Sequence, residues 1–145
     1  MGEQPTRTLE RAMAELAAVL GEATAAHFGA GTRVSGLRRM SAGASRETWA
    51  FDATAPDGAA LPLILKRDPL KRDVAGTKDE DDGIEGVDSV LGVDRRTEGR
   101  LMQLAGDGGV PEPRVYFFLE NDDRTSAGFV MDRIDGETLG GRIAR

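Results

Sequence analysis

The sequence has no cysteine and one histidine, His27. The first absence excludes disulfides, thiolate metal sites and a cysteine nucleophile. The second excludes multi-histidine zinc sites, and because His27 closes an alanine-rich stretch it is expected at a helix end or on the surface rather than in a triad. Basic residues are the minority, 19 Lys and Arg against 25 Asp and Glu for a net charge of -6, the reverse of what binding to a nucleic-acid backbone requires. No apolar run approaches the roughly 18 residues of a spanning helix. The opening Met1-Gly2-Glu3-Gln4-Pro5 has no basic stretch feeding an apolar one, so no secretory signal is expected. These absences point to a cytoplasmic protein without nucleic-acid or membrane partners.

What the chain does have suits one soluble domain: 145 residues, 39% hydrophobic and 30% charged, with 19 glycines that imply many turns. From about Thr8 to Phe28 the spacing of Leu9, Met13, Leu16 and Leu20 predicts an amphipathic helix, ended by Gly29 and Gly31. Thr32 to Met40 reads as a strand of weak alternation, followed by the small-residue turn Ser41-Ala42-Gly43-Ala44-Ser45. In the next segment Trp49 and Phe51 alternate with Thr48, Ala50 and Asp52, and Pro56-Asp57-Gly58 turns the chain. A third strand then places Leu61, Leu63 and Leu65 on one face and Ile64 and Lys66 on the other.

Between 68 and 92 the pattern dissolves into eight acids, three basic residues and several glycines, read as an acidic mobile insertion. A calcium loop around Asp79 to Gly83 is rejected, because Lys78 and Ser89 would fall where oxygen-rich ligands are needed. Asp94 can cap a helix to about Ala105, with Val93, Thr97, Leu101 and Leu104 as its expected inner side. Val115, Phe117 and Leu119 alternate with Tyr116 and Phe118 in a fourth strand, and Gly128 to Ile134 gives a fifth. The fold class expected is α+β, a five-stranded antiparallel sheet with an N-terminal helix and a second helix between strands 3 and 4. The domain division is residues 1–30 as the packed helix and 31–145 as the sheet-based lobe.

Four features carry chemistry. Small residues at Ser41 to Ser45 let backbone N–H groups approach an anion, although an ordinary hairpin turn has the same composition. Lys66 ends the third strand, where a lone lysine usually reaches solvent. Glu98 can face that lysine and fix its ammonium, or simply pair with Arg95 or Arg100 on its own helix. Gly128 to Gly136 runs from an apolar strand into a polar segment whose backbone could pair with an adenine edge, Ile64 and Met131 supplying apolar contacts.

Taken in order, Ser41-Ala42-Gly43-Ala44-Ser45-Arg46-Glu47-Thr48-Trp49, Leu63-Ile64-Leu65-Lys66-Arg67-Asp68-Pro69, Thr97-Glu98-Gly99-Arg100-Leu101, Val110-Pro111-Glu112-Pro113 and Phe129 to Thr138 resemble the N-terminal lobe of the aminoglycoside phosphotransferase family, which has a protein kinase-like fold. The resemblance covers roughly Leu37 to the C-terminus. It implies that Ser41, Ala42, Gly43, Ala44, Ser45 and Arg46 cover nucleotide phosphates, that Lys66 contacts the α- and β-phosphates, and that Glu98 holds Lys66. It further implies a backbone carbonyl from Asp132 and a backbone amide from Ile134 on the adenine of ATP, with Met131 behind the base. Two departures stand out: one glycine in the phosphate loop rather than three, and the acidic insertion.

The family's H-G-D-x-x-x-x-N catalytic loop and later magnesium-binding Asp have no counterpart, since His27 precedes the lobe and Asn121 sits in a predicted turn. The expectation is an ATP-binding lobe, inactive by itself, of a kinase that phosphorylates a hydroxyl of a small molecule. Magnesium and the acceptor would be held with a C-terminal lobe, and Thr138 to Arg145 reads as an interlobe connector. The alternatives are a stand-alone, non-catalytic nucleotide-binding or regulatory module of the same lobe fold, and an unrelated α+β domain.

Overall fold

The computed structural model describes residues 4–42, 47–68 and 93–136, with side chains from residue 9 and excluding those of 41 and 42. The chain forms α1 (Gln4–Phe28), β1 (Arg33–Ala42), β2 (Glu47–Thr54), β3 (Ala60–Arg67), α2 (Arg95–Asp107), β4 (Val115–Leu119) and β5 (Gly128–Asp132). The five strands make one sheet in the order β1-β2-β3-β5-β4, antiparallel throughout. The expected α+β architecture is therefore present. Among the described residues no helix is long and apolar enough to cross a membrane.

Strand alternation divides the sheet into two faces. On one, Trp49, Phe51, Ala53, Leu63, Leu65, Val130 and Leu119 pack against Leu16, Val19 and Leu20 of α1. Phe51, Leu63, Leu65 and Leu20 have no accessible surface, so this layer supplies most of the hydrophobic stabilisation, about 1.5–3 kcal/mol per fully buried large side chain. Thr24, also fully buried, satisfies its hydroxyl by donating to the Leu20 carbonyl at 2.7 Å. Leu9, expected on the same inner stripe, is 54% exposed because it lies beyond the part of α1 that meets the core. The other face of the sheet receives α2 and carries Lys66.

Three register shifts mark where simple alternation fails, the second of them between Arg39 and Ser41 of β1. β1 shifts register between Ser35 and Arg38, at Gly36, whose φ of 65° is open to glycine and costly for other residues. β4 shifts between Val115 and Phe117. That bulge turns Tyr116 as well as Phe117 toward the α1 core, where Phe28 meets both rings. Phe118 stays on the opposite face with Phe129.

The inner side expected for α2 is corrected by the structure. Leu101 and Leu104 are 54% and 66% exposed, and Val93 and Thr97 are exposed too. The buried residues of α2 are Arg95 and Gly99, one turn apart. Gly99 lets the helix approach Phe118 and Phe129 closely, and Arg95 is drawn inward by carboxylates, so close backbone approach and charge pairing set the rotation of α2 rather than its leucines. The capping expectation holds: Asp94 accepts from the Thr97 amide and hydroxyl, both at 2.9 Å, and the helix ends at Gly108.

Candidate functional site

Register places three chemically distinct rows side by side on the face opposite α1. Ala50 of β2 pairs with Ile64 of β3, and Ile64 with Met131 of β5, giving a continuous apolar row across three strands. Ala50 and Ile64 are buried and Met131 half-buried, so the accessible end lies toward Met131 and the strongly exposed Ile134. Ile134, just beyond β5, is 68% exposed. One step along the strands, Thr48, Lys66 and Phe129 form the next row. One step the other way lie Asp52 and Pro62.

Lys66 and Glu98 meet. The ammonium donates to Glu98 Oε1 at 3.0 Å across 32 positions of sequence, joining the C-terminal end of β3 to the first turn of α2. The Lys66 side chain keeps 30% of its surface accessible, and an ammonium has three donors, so two remain for another partner. Glu98 Oε2 accepts from Arg95 Nη1 at 2.5 Å. Both readings of Glu98 are thus realised at once: it holds the strand lysine and pairs within its helix. Burial pushes the Glu98 carboxyl up, but the hydrogen bonds from Lys66 and Arg95 outweigh it and hold the group below its ordinary value.

The sign of that shift fixes a pH dependence. A carboxyl held below its unfolded pKa of about 4.3 contributes stability above that pH and loses it as pH falls through the folded value. Urea denaturation of the wild type and Glu98→Gln across pH 3–7 is expected to show the widest gap at neutral pH and convergence in acid. A constant gap would contradict the pairing.

Around this pair the backbone is tightly specified. Asp68, following Arg67, donates its amide to the Ala127 carbonyl at 3.1 Å and accepts at its own carbonyl from the Ser126 hydroxyl. On the opposite face of β3, Arg67 is almost fully buried against Glu47 at 2.8 Å. Glu47 also accepts from Arg39 and from the Trp49 indole, both at 3.0 Å, while Arg39 and Arg67 lie 5.9 and 5.8 Å from the Trp49 ring centre. Alternation thus gives adjacent cations different fates: Arg67 is consumed in the core, Lys66 is presented outward.

The segment after Met131 is partly committed. The Asp132 carboxylate accepts from the Tyr116 hydroxyl at 2.7 Å and the Arg114 amide at 3.2 Å, away from the apolar row. Burial, then the hydrogen bond to Asp132, raises the Tyr116 phenol. The Asp132 amide donates to Arg114 O and the Arg133 amide to Pro62 O, both at 3.0 Å. Proline has no N–H to return, so the β3–β5 ladder stops there. Among the described residues the Ile134 amide has no backbone partner. Ser41 and Ala42, expected in a turn, extend β1 instead, pairing with Thr48 and Glu47, so the pairing with β2 continues two residues past the predicted break at Met40. Gly43, Ala44, Ser45 and Arg46 lie outside the described residues, as does the acidic stretch from 69 to 92.

Three participants were not singled out from sequence. Arg133 caps the apolar row, donating to Phe51 O at 3.3 Å and Asp52 Oδ1 at 2.9 Å. The Glu47–Arg67 pair is another, and Arg95, named only as a helical neighbour of Glu98, is the third; charged residues in a sequence 30% charged give no sign of a shared site until register brings them together. A hollow of ≈ 260 Å³ lined by Glu15, Ala18, Asp123 and Arg124 shares no residue with the Lys66 group. No family model, curated protein or solved structure matches this chain, so the functional reading rests on the residues themselves.

Proposed function

We propose that this chain is the ATP-binding lobe of a kinase that transfers the γ-phosphate to a hydroxyl of a small molecule. The observation that carries the reading is the Lys66–Glu98 pair: an accessible ammonium at the end of a central strand, held by a carboxylate from the following helix. An anchored ammonium with donors to spare suits the α- and β-phosphates of a nucleotide, because its position is fixed before the anion arrives. The apolar row ending at Met131 lies two residues along the strands on the same face, at a distance and chemistry suited to a purine joined to those phosphates. In this reading the Asp132 carbonyl and Ile134 amide meet the base edge, and Ser41 to Arg46 cover the phosphates.

The chain has no H-G-D-x-x-x-x-N segment to supply a base for the acceptor hydroxyl and an asparagine for magnesium. It is therefore expected to bind ATP weakly and to transfer nothing by itself. Magnesium and the acceptor belong, in this reading, with residues of a further lobe.

Titrating ATP into isotope-labelled protein tests the proposal. Chemical-shift changes are expected to concentrate at Lys66, Glu98, Met131, Asp132 and Ile134. Lys66→Met is expected to remain folded, since Glu98 keeps Arg95, and to weaken ATP at least roughly ten-fold, the scale of one charge-assisted contact. Shifts scattered over the surface, or an unchanged Lys66→Met, would count against the site.

A further inference from the structure

Glu98 serves two cations with unequal access to solvent. Lys66 keeps 30% of its side chain exposed, whereas the Arg95 guanidinium keeps 4%. Arg95 therefore cannot reach a ligand in the cleft, yet it makes the shorter contact, 2.5 Å against 3.0 Å. Its other ionic neighbour, Asp68, is 46% exposed and 3.6 Å from Nε, too far for a hydrogen bond. Nε itself is buried without a hydrogen-bond partner among the described residues. Among the described residues, the hydrogen bonding of Arg95 is thus directed to Glu98, with Asp68 as a more distant and more solvated ionic neighbour.

A carboxylate shared in this way cannot also neutralise Lys66 fully. With Glu98 as sole partner the lysine would form a neutral pair, and an approaching polyphosphate would meet little net field. With Arg95 on the second oxygen, Lys66, Arg95 and Glu98 together carry a net positive charge, which the Asp68 carboxylate, 3.6 Å from Arg95 Nε but 46% exposed, offsets only in part because water screens it. The buried cation adds to the field from a position where water weakens its interactions least, without occupying the surface.

We propose that Arg95 is a positioning residue that keeps the Lys66 ammonium electrostatically available, tuning the cleft toward polyphosphates rather than toward the nucleoside. This inference rests on the nucleotide reading of the same site. It assigns Arg95 a charge role, acting through Glu98, that differs from simply attaching α2 to the sheet. A purely structural arginine would affect every ligand alike; a charge-sharing one affects the phosphates alone.

The test compares ADP with adenosine, each titrated into the whole 145-residue chain and followed by side-chain and amide chemical shifts. Arg95→Gln keeps a donor for Glu98 and removes the charge; Arg95→Lys keeps the charge and removes the planar fork. For Arg95→Gln the preference for ADP over adenosine is expected to fall roughly five-fold, with adenosine unchanged, the scale of one charge interacting across a partly solvated site. For Arg95→Lys it is expected to stay within about two-fold of the wild type by the same reasoning. Wild-type protein that responds to neither ligand removes the nucleotide reading and this inference with it. A wild type that binds ADP, together with an Arg95→Gln that keeps the preference or loses both ligands equally, overturns the role of Arg95 alone. Should Arg95→Gln fail to fold, Arg95→Lys decides: loss of the ADP preference there assigns Arg95 to geometry and overturns the proposal.

Discussion

Replacing Glu47 by alanine is expected to lower the stability of the fold by about 3–5 kcal/mol, the cost of leaving a buried charge without its partner. Arg67, 3% exposed, has Glu47 as its 2.8 Å partner, and the same carboxylate accepts from the Trp49 indole. Alanine strands both donors inside the α1-facing core, and neither can turn to water without unpacking Trp49. Arg39, at the rim with 39% of its side chain exposed, loses less. The double variant Glu47→Ala/Arg67→Met is expected to recover most of the loss, because it removes the orphaned cation together with its partner. Chemical denaturation of the two single variants and the double variant gives the coupling directly. A Glu47→Ala protein within about 1 kcal/mol of wild type would mean that water already reaches Arg67.

That cluster also shows where sequence reasoning stops. The alternation of Trp49 and Phe51 with Thr48 and Ala50, and of Leu61, Leu63 and Leu65 with Ile64 and Lys66, was enough to assign both strands, their faces and the outward placement of Lys66. Extending the same alternation by one residue puts Arg67 and Glu47 on the core face, a placement that apolar patterning argues against and only their mutual pairing permits. α2 fails in the same direction. Its leucines suggested the inner stripe, yet the sheet receives Arg95 and Gly99 while Leu101 and Leu104 face outward. Hydrophobic spacing reports which residues could be buried; it is silent when a charge ring and a glycine contact decide the orientation. Glu98 was within reach because the resemblance to a kinase-like lobe pairs the strand-end lysine with a carboxylate on the following helix. Arg95 was visible only as a helical neighbour, since sharing one carboxylate between two cations depends on coordinates rather than spacing.

Two glycines flank the site, and adding the same single methyl to each is expected to give opposite outcomes. At Gly128 a Cβ would lie 2.6 Å from the Lys66 carbonyl oxygen and 2.9 Å from Arg67 Cβ. These atoms belong to the central strand, locked by ladders to β2 and β5, so nothing cheap can move. Gly128→Ala is expected to cost about 3 kcal/mol, the upper range for overpacking a well-packed interior, and to displace Lys66 from Glu98. At Gly99 a Cβ would also lie 2.6 Å from its nearest neighbour, but that neighbour is Cε1 at the far end of the half-buried Phe118 ring. A ring can swing where a strand cannot. Alanine inside α2 also gains about 1 kcal/mol of helix propensity over glycine, offsetting most of the residual crowding with Phe129 Cδ1 at 3.1 Å. Gly99→Ala is therefore expected to cost less than about 1 kcal/mol and to keep the Lys66–Glu98 contact, since helix propensity and side-chain motion oppose the clash. Denaturation midpoints rank the two variants, and the Lys66 and Glu98 side-chain resonances report the pair. Equal losses at both positions would show that Phe118 is as immovable as the strand, and that α2 is held against the sheet more rigidly than its single glycine contact implies.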